Sequence, residues 1–376
     1  MSQSPTTIAN LTPDQQLIAF NSLVQQGLQE AYDLTDGEEV AFQQSIFYPK
    51  IARCKMPTDF ARQLPEIYNP DGSLTSTLLA GRLPRKDIIA QLMPLGSMEA
   101  LDINGGGAKA YPLLREAQDI DLGPYEHKSR VSRWLFASDI HGTIANFIRM
   151  LRRSSEKNAD ILVSKLLNNG NTASCWHTGV TGKKFFDTSI PCDLASNLLG
   201  ETFDNYFTAT PLTVANLVKR ISYGRTIKLG DGIPGGVNFD TLVIPPELMY
   251  EGETATMLQN IVYGGTNAAP GQPANTAAVG ENVAYVMRHV KHVVVADMLT
   301  SRLADGTGAG PAATWYLIDS RRYALGYARA LGPQYAWQLN PMDTIVFEEN
   351  EYRAKVNTWE GAGYYLPQYA AKCVGV

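Results

Sequence analysis

The sequence predicts a mixed α+β protein, and three observations support this fold class. Residues 143–168 have the apolar spacing of one long helix. Residues 110–139 show no helical period and are polar on both faces of an extended chain. The short apolar runs at 239–246 and 314–318 have the length of buried strands and are bounded by turn residues. We therefore expect one long helix set among β-rich segments.

The predicted long helix has a thin apolar stripe with a polar interruption. The stripe consists of Ile144, Phe147, Ile148, Leu151, Ala159, Leu162 and Leu166. Between Leu151 and Ala159 lies RRSSEKN, a polar segment that a core helix would not carry. Asn168-Asn169-Gly170 is a helix stop signal, so the helix would be about 40 Å long. Such a helix is expected to act as a beam rather than as a catalytic scaffold.

The N-terminal third is predicted to begin with an amphipathic helix over residues 13–32. Thr12 can cap this helix, and Pro13 suits its first position. Residues 33–95 are predicted as an extended arm with short helices. The segment 110–139 follows a glycine-rich break and turns at Gly123-Pro124, which predicts a long two-stranded loop. Because a polar hairpin is marginal alone in water, we expect it to need a partner surface, which favours self-association.

The second half is predicted to be an α/β region. A hairpin is expected at 182–191, and a helix opens at Thr210-Pro211 and ends at Gly224, with an apolar face of Leu212, Ala215, Val218 and Ile221. Further elements are predicted as a strand at 239–246, a helix at 247–260, a surface loop at 264–280, strands at 284–295 and 314–318, and a hairpin at 344–359 around Glu349-Asn350.

Composition favours an assembly protein. The chain has 376 residues, more than one hydrophobic core usually supports, so two lobes with extensions are expected. A net charge of −5 argues against a protein that binds nucleic acid by neutralising phosphates. Charged residues make up 18% of the chain, against roughly 25% in typical soluble domains. The low charge and the 18 tyrosines are typical of large protein–protein interfaces.

No targeting signal or membrane span is expected. No segment approaches ~18 consecutive apolar residues, and the N-terminus lacks the basic start and apolar stretch of a signal peptide. The four cysteines are scattered and form no C-x-x-C motif. This pattern favours a reduced, cytoplasmic protein over a disulfide framework.

The motifs that could carry chemistry are weak. The glycine loop at 230–235 matches G-x-G-x-x-G, but a strand follows it where a dinucleotide site needs a helix. The P-loop-like segment 179–184 has the wrong spacing. His289 and His292 are three apart, and on a strand they would point to opposite faces, so a polar strand edge is a better interpretation than a metal site.

Two acidic clusters and a serine triad are the remaining candidates for catalysis. Glu348, Glu349 and Glu351, and the pair Asp119 and Asp121, could form acid–base pairs, but solvated hairpin faces are the favoured interpretation. No G-x-S-x-G motif supports a serine triad. We therefore expect no enzymatic activity, no cofactor and no metal.

Taken in order, these elements resemble the major capsid proteins of tailed phages, which have the Hong Kong 97-type fold, and most closely the Mu-type major head subunit. The residues that carry the resemblance are, in order, RVSRWLFASDI, ANFIRMLRRSSEKNADILVSKLL, GKKFFDTSIP, TPLTVANLVKRI, FDTLVIPPELMYEGETATML, TWYLI and NPMDTIVFEENEYRAKVNTWEGAGYY. The series covers roughly residues 110–370. No single motif is diagnostic, and the resemblance rests on their order and spacing.

The resemblance implies a domain organisation. Its parts would be an N-terminal arm (1–96), an extended loop over a neighbouring subunit (97–137), a peripheral domain with the long helix as its spine (138–184), an axial domain (185–320), and strands that return to the peripheral domain (321–376). For contacts between subunits we select five charged residues of the loop. They are Arg115, Glu116, Lys128, Arg130 and Arg133.

The resemblance also implies a function: a major capsid protein that self-assembles into an icosahedral head shell around phage double-stranded DNA. Its partners would be copies of itself in hexamers and pentamers, with scaffolding, portal and possibly decoration proteins, and no membrane. It would reside in the virion after assembly in the host cytoplasm. Because the chain begins at Met1, we expect scaffolding to be a separate protein rather than a cleaved segment. The alternatives are an encapsulin-like compartment shell that holds a cargo enzyme, or a soluble α/β enzyme.

Overall fold

The structure is a computed structural model, and it describes residues 46–47, 52–64, 67–75, 83–92, 115–132, 143–171, 183–192, 201–228, 234–249, 286, 288–299, 313–338 and 348–375. Several predicted elements lie outside these residues, among them the helix at 13–32 and the surface loop at 264–280. No helix within the described part of the chain is long and apolar enough to cross a membrane.

The described elements are mixed helices and strands, as the sequence predicts. The strands are β1 (Ala52–Lys55), β2 (Lys86–Leu92), β3 (Arg115–Asp121), β4 (Gly123–Ser132), β5 (Ile190–Pro191), β6 (Thr202–Phe203), β7 (Tyr206–Phe207), β8 (Thr241–Ile244), β9 (His292–Val295), β10 (Thr314–Ile318), β11 (Leu325–Gln338), β12 (Glu351–Tyr364) and β13 (Ala370–Val374). The helices are α1 (Pro57–Gln63), α2 (Thr143–Asn169), α3 (Val214–Thr226) and α4 (Pro246–Met249), with 3-10 turns at Asp297–Leu299 and Pro367–Tyr369.

Two sheets organise the described residues. One has four strands in the order β1-β11-β12-β4, with β1 parallel to β11 and the other pairs antiparallel. The other has five strands in the order β7-β13-β10-β8-β9. Two short ladders, β2-β3 and β5-β6, complete the pairing. Since β12 and β13 are consecutive in the chain and belong to different sheets, the C-terminal segment links the two.

The main core lies on the five-stranded sheet. All five residues of β10 and all four of β8 are buried, as expected of strands covered on both faces. Trp315 on β10 is fully buried, and its indole N–H donates to the carbonyl oxygen of Thr210 at 2.9 Å. The predicted strand at 314–318 is confirmed, and so is a strand within 239–246.

The long helix α2 confirms the predicted bounds to within one residue. Its buried residues include a row at every fourth position, formed by Leu151, Ser155, Ala159, Val163 and Leu167, with Ser164 and Asn168 beside it. The predicted stripe was therefore wrong in part, since Leu162 and Leu166 are only half-buried. The polar segment RRSSEKN also contributes to the buried face, because Ser155 lies within it.

The C-terminus of α2 is tied to the five-stranded sheet by a buried lysine. Lys372 on β13 donates from Nζ to the carbonyl oxygen of Asn168 and to Oδ1 of Asn171, both at 2.7 Å. The carbonyl groups at a helix C-terminus carry partial negative charge, so a cation there is stabilising. Tyr364 adds a hydrogen bond from its hydroxyl to the carbonyl oxygen of Leu166 at 2.8 Å.

Helix α3 confirms the predicted helix and most of the predicted apolar face, since Leu212, Val218 and Ile221 contribute to the core. Thr213 caps it by accepting from the backbone N–H of Asn216 at 3.2 Å. Leu217 and Ile221 are fully buried, whereas Ala215, which was assigned to the apolar face, is exposed.

Three predicted local elements differ from the structure. The hairpin at 182–191 does not form within the described residues, where β5 pairs with β6. The predicted strand at 284–295 is confirmed only from His292 onward, and His289 lies in a helical turn before it. Of the predicted hairpin at 344–359, residues 344–347 lie outside the described residues, and residues 351–359 belong to the long strand β12, which pairs with β11 and β4.

Candidate subunit interface

Strands β3 and β4 are consecutive and pair with different partners, β2 and β12. The chain therefore does not fold back at Gly123-Pro124, which corrects the turn predicted there within residues 110–139. Leu122 joins the strands, and its backbone N–H donates to the carbonyl oxygen of Arg85 at 2.8 Å. Leu122 and Ile120 are buried, which anchors the chain at this point.

A close backbone approach fixes the junction of β3 and β4 on β12. A Cβ atom at Gly361 would lie 2.1 Å from the carbonyl oxygen of Asp121, and one at Gly363 would lie 2.7 Å from Cγ1 of Ile120. Only glycine allows the junction to pack this closely on the sheet. The end of β12 that carries these glycines is thus covered by the junction.

The β2–β3 ladder extends from this junction. Lys86 and Asp121 are paired in register, and their side chains form an exposed ion pair at 3.9 Å. At the other end of the ladder, Arg115 pairs with Leu92 and Glu116 with Gln91. The ladder thus places the two predicted contact residues on β3 at its far end, where the chain enters residues 93–114.

Strand β4 is the edge of the four-stranded sheet and is polar on both faces. Six of its first eight residues are exposed, and among the described residues it pairs with β12 alone. The side chains of Lys128 and Arg130 are each 73% exposed. An open edge with charged side chains resists uncontrolled strand addition and leaves backbone hydrogen-bonding groups available to a specific partner.

The register of β4 on β12 places like charges opposite each other. Lys128 lies opposite Lys355, and Arg130 lies opposite Arg353. Directly opposed like charges destabilise an antiparallel pair. Carboxylates compensate them: Arg130 contacts Glu351 at 3.6 Å, and Arg353 contacts Glu349.

Glu126 is the centre of this charged face. Its carboxylate lies 2.6 Å from Nζ of Lys128 and 3.3 Å from Nζ of Lys355. With its amide nitrogen turned towards this carboxylate, Asn357 also donates to it at 2.8 Å. The hydrogen bond from Lys128, together with Lys355, lowers the pKa of Glu126. The face is thus a dense network of ion pairs rather than a simple cationic patch.

A buried charge network supports the other end of β12. The carboxylate of Glu360 accepts hydrogen bonds from Asn158 on α2 and from Tyr327 and Arg329 on β11, with Arg329 Nε at 3.0 Å. Arg329 and Glu360 are fully buried. Burial and the Glu360 charge raise the pKa of Tyr327. Burial by itself lowers the pKa of Arg329, but the negative charges nearby outweigh this effect and raise the pKa.

This network connects the long helix to the interface. Glu360 is the residue of β12 that pairs with Gly123, the first residue of β4. The position at which β4 starts is therefore tied to α2 through Asn158. The network was not predicted from the sequence, because Arg329 and Glu360 occur in segments with no charge pattern of their own.

The structure brings together two of the five predicted contact residues. Lys128 and Arg130 share one face of β4, whereas Arg115 and Glu116 lie beyond the junction, and Arg133 lies outside the described residues. The partners Arg353 and Lys355 were missed, because only the strand register places them beside β4. Their alternation with buried residues along β12 was the available signal.

The glycine loop and the acidic cluster were the other motifs considered as sites. A strand, β8, lies after the glycine loop at 230–235, of which residues 230–233 are outside the described part of the chain. Within the described ranges, no group of three or more His, Cys, Asp or Glu side chains could hold a metal ion. Glu349 and Glu351 are engaged by arginines on the sheet face described above.

The sequence matches no protein-family model and no curated protein. The structure is similar to that of the cyanophage Pam1 capsid subunit, with 13% sequence identity, 89% of this chain and 92% of that chain covered, and a TM-score of 0.51. Weaker similarities include the capsid of cyanophage P-SCSP1u (12% identity, 78% and 84% covered, TM-score 0.48) and the mature capsid of bacteriophage PhiM1 (10% identity, 89% and 87% covered, TM-score 0.47). The similarity to the Pam1 subunit establishes a capsid-type α+β fold.

Proposed function

We propose that this chain is the major capsid protein of a tailed phage, which assembles with copies of itself into an icosahedral head shell enclosing double-stranded DNA. The observation that carries the proposal is that nearly the whole chain, rather than one lobe of it, has the fold of a phage capsid subunit. The proposal extends this similarity of fold to a similarity of function.

The edge strand β4 supports the proposal independently. It is polar on both faces, carries Lys128 and Arg130 and has an open edge among the described residues. A subunit that contributes such a strand to a neighbour gains backbone hydrogen bonds and ion pairs, which supply orientation and specificity. Repeated over a shell, modest contacts of this kind add up to a stable particle.

The finer assignments are part of the same proposal. The four-stranded sheet with α2 would form the peripheral domain of a Hong Kong 97-type subunit, and the five-stranded sheet would belong to the axial domain. Residues 97–137 would be the extended loop. Scaffolding, portal and decoration proteins, assembly in the host cytoplasm and the Mu-type relationship stay predictions.

The experiment that tests the function is electron microscopy of the full chain expressed alone, paired with analytical sedimentation. We expect closed shells, or rings of five and six subunits. Double-stranded DNA in particles isolated from infected cells would support a phage head, whereas an enclosed protein cargo would favour an encapsulin-like compartment.

A monomer or small oligomer would be tested further by adding the scaffolding protein encoded with it. A chain that stays small under both conditions, and that turns over a substrate, would overturn the capsid function and favour an enzyme. The fold similarity would be unaffected by that result, because fold alone does not determine function.

A further inference from the structure

One exposed face of α2 carries cations. Met150, Arg153 and Lys157 are spaced three and four residues apart, so they share one side of the helix. This side lies opposite the buried row that includes Leu151 and Ser155. Arg153 and Lys157 are exposed, and Met150 is 67% exposed, which is unusual for a large apolar side chain. We call Met150, Arg153 and Lys157 the outer face of α2.

The cations of the outer face have no carboxylate partner among the residues that the structure describes. Arg153 and Lys157 form no ion pair there. Glu156 and Asp160, the carboxylates nearest to them in sequence, are half-buried and have contacts of their own. Two like charges four residues apart on a helix destabilise it. An anion beside both cations would remove this repulsion.

The N-terminal part of the sequence has the opposite charge. Residues 1–49 contain six carboxylates and no lysine, arginine or histidine, in a chain whose net charge is −5. This part alone therefore accounts for the negative charge of the whole chain. Five of the six carboxylates lie within residues 30–39, which we call the acidic segment. They are Glu30, Asp33, Asp36, Glu38 and Glu39.

The acidic segment is attached to the core that contains α2. Phe47 is fully buried and belongs to the same core cluster as Ala159 of α2. Glu39 lies eight residues before Phe47, and eight residues of extended chain span at most about 28 Å. Along α2, the distance from Arg153 to Ala159 is only about 9 Å. The acidic segment is therefore tethered within reach of the outer face of its own chain.

We propose that the acidic segment binds the outer face of α2 in the same chain, with its carboxylates beside Arg153 and Lys157. Exposed ion pairs are individually weak. A short tether compensates for this weakness, because it raises the local concentration of the segment to about the millimolar range, which favours the same chain over another copy. The segment thereby neutralises a cationic surface that would otherwise attract other anions. This inference goes beyond the proposed function and does not depend on it.

The first test is zero-length cross-linking of the full chain with a carbodiimide, which joins a lysine amine to a carboxylate in contact with it. Equal amounts of ¹⁴N-labelled and ¹⁵N-labelled chain are mixed, and cross-linked peptides are identified by mass spectrometry. We expect Lys157 to be joined to carboxylates of the acidic segment within chains of one isotope. The yield should fall at least about fivefold at 1 M salt, where the screening length is about 3 Å. Lys219, exposed on α3, is the internal control and should not be joined to this segment.

The second test measures binding of a fluorescent peptide of residues 28–42 by anisotropy. In the full-length variant E30Q/D33N/D36N/E38Q/E39Q the acidic segment is neutral, which leaves the outer face open. We expect this neutralised variant to bind the peptide at least about tenfold more tightly than the wild type, whose own segment competes. Adding R153Q/K157Q should remove the binding, whereas adding R62Q, which removes an exposed arginine of α1, should not. Circular dichroism checks that all variants are folded.

The outcomes identify what occupies the outer face. Cross-links within one isotope, with tighter peptide binding by the neutralised variant, support the proposal. Cross-links between the two isotopes assign the contact to a neighbouring copy and overturn the same-chain arrangement. Absence of cross-links from Lys157 to the acidic segment, or equal peptide binding by the wild type and the neutralised variant, also overturns the proposal. Shell formation is measured separately by sedimentation, so failure of the proposed function would not be mistaken for failure of this contact.

Discussion

The two main sheets differ in where their charged residues lie. In the five-stranded sheet, β8 and β10 are buried at every position, and the buried Lys372 serves to hold the end of α2. In the four-stranded sheet, β12 alternates between buried and half-buried residues, and its neighbour β4 is largely exposed. One sheet has central strands that are covered on both faces, whereas the other sheet ends in a strand that is largely exposed.

This difference in burial determines how much the residues of each sheet contribute to stability. Strands that are apolar on both faces contribute to stability through burial, at roughly 25 cal/mol per Å² of apolar surface. Exposed ion pairs such as those of β4 contribute little, typically 0–1 kcal/mol each. The charges on β4 therefore contribute little to the stability of the single chain, which is compatible with the subunit contact proposed above. The five-stranded sheet, by contrast, needs no partner to account for its composition.

The largest effect on the free energy of unfolding is expected from substitution of the buried charges in the four-stranded sheet. Glu360→Gln would leave the buried guanidinium of Arg329 without a counter-charge, which typically costs 3–5 kcal/mol in free energy of unfolding. Urea unfolding of the dissociated subunit measures this cost.

A paired substitution serves as the control. The double variant Arg329→Met/Glu360→Met removes both charges and should recover more than half of the loss. A double variant that is less stable than Glu360→Gln would contradict the interpretation that the unpaired charge causes the destabilisation.

The next effect concerns the junction that attaches β4 to the sheet. Gly361→Ala places a methyl group against the carbonyl oxygen of Asp121 and should cost about 3 kcal/mol, the upper end of the usual range for overpacking. Gly123→Ala is the matched control, because no atom lies within 4 Å of its Cβ position. Chemical denaturation of both variants compares them directly, and equal stabilities would show that the close approach is not maintained.

A pH effect of about 2 kcal/mol is expected in the five-stranded sheet. Burial lowers the pKa of Lys372 to about 8, whereas an unfolded lysine titrates near about 10.4. Between these values the unfolded chain holds a proton that the folded chain has released, so the free energy of unfolding rises with pH. Lys372 should therefore contribute about 2 kcal/mol more at about pH 9.5 than at pH 7.

The measurement compares urea unfolding of the wild type and of Lys372→Met at the two pH values. The difference between the proteins isolates Lys372 from other groups that titrate in this range. If both proteins show the same dependence on pH, the lysine is not titrating as its burial predicts.

The smallest effect on stability is expected on the exposed side of β4. Lys128→Ala/Arg130→Ala should change the free energy of unfolding by less than about 1 kcal/mol, since both side chains are mostly exposed. If β4 contacts a neighbour, the same variant should form fewer large particles in sedimentation. Normal assembly of this variant would remove these two residues from the interface.

The sequence predicted several local elements, but it did not predict which strands pair with each other. The bounds of α2 follow from its own apolar period and from the Asn168-Asn169-Gly170 stop, which are properties of one segment. The predicted hairpin at 344–359 lies partly outside the described residues, and its second half belongs to β12, which pairs with β11 and β4. Its alternation was a genuine strand signal that did not identify the partner strands.

The candidate interface was predictable to a similar extent. Polarity on both faces of 123–132 indicated an exposed strand, and Lys128 and Arg130 were among the residues selected. The sequence did not indicate that Lys355 and Arg353 lie opposite them, because a register depends on both strands.

The sequence by itself determined the helix α2, the buried strands β8 and β10, and the polar character of β4, since each depends on the order of neighbouring side chains. Only the tertiary structure decided that Arg329, Glu360 and Lys372 are buried and that Lys355 meets Glu126. The physical reason is that burial of a charge and the distance between two side chains depend on segments remote in the chain, whose approach is determined by the packing of the whole molecule.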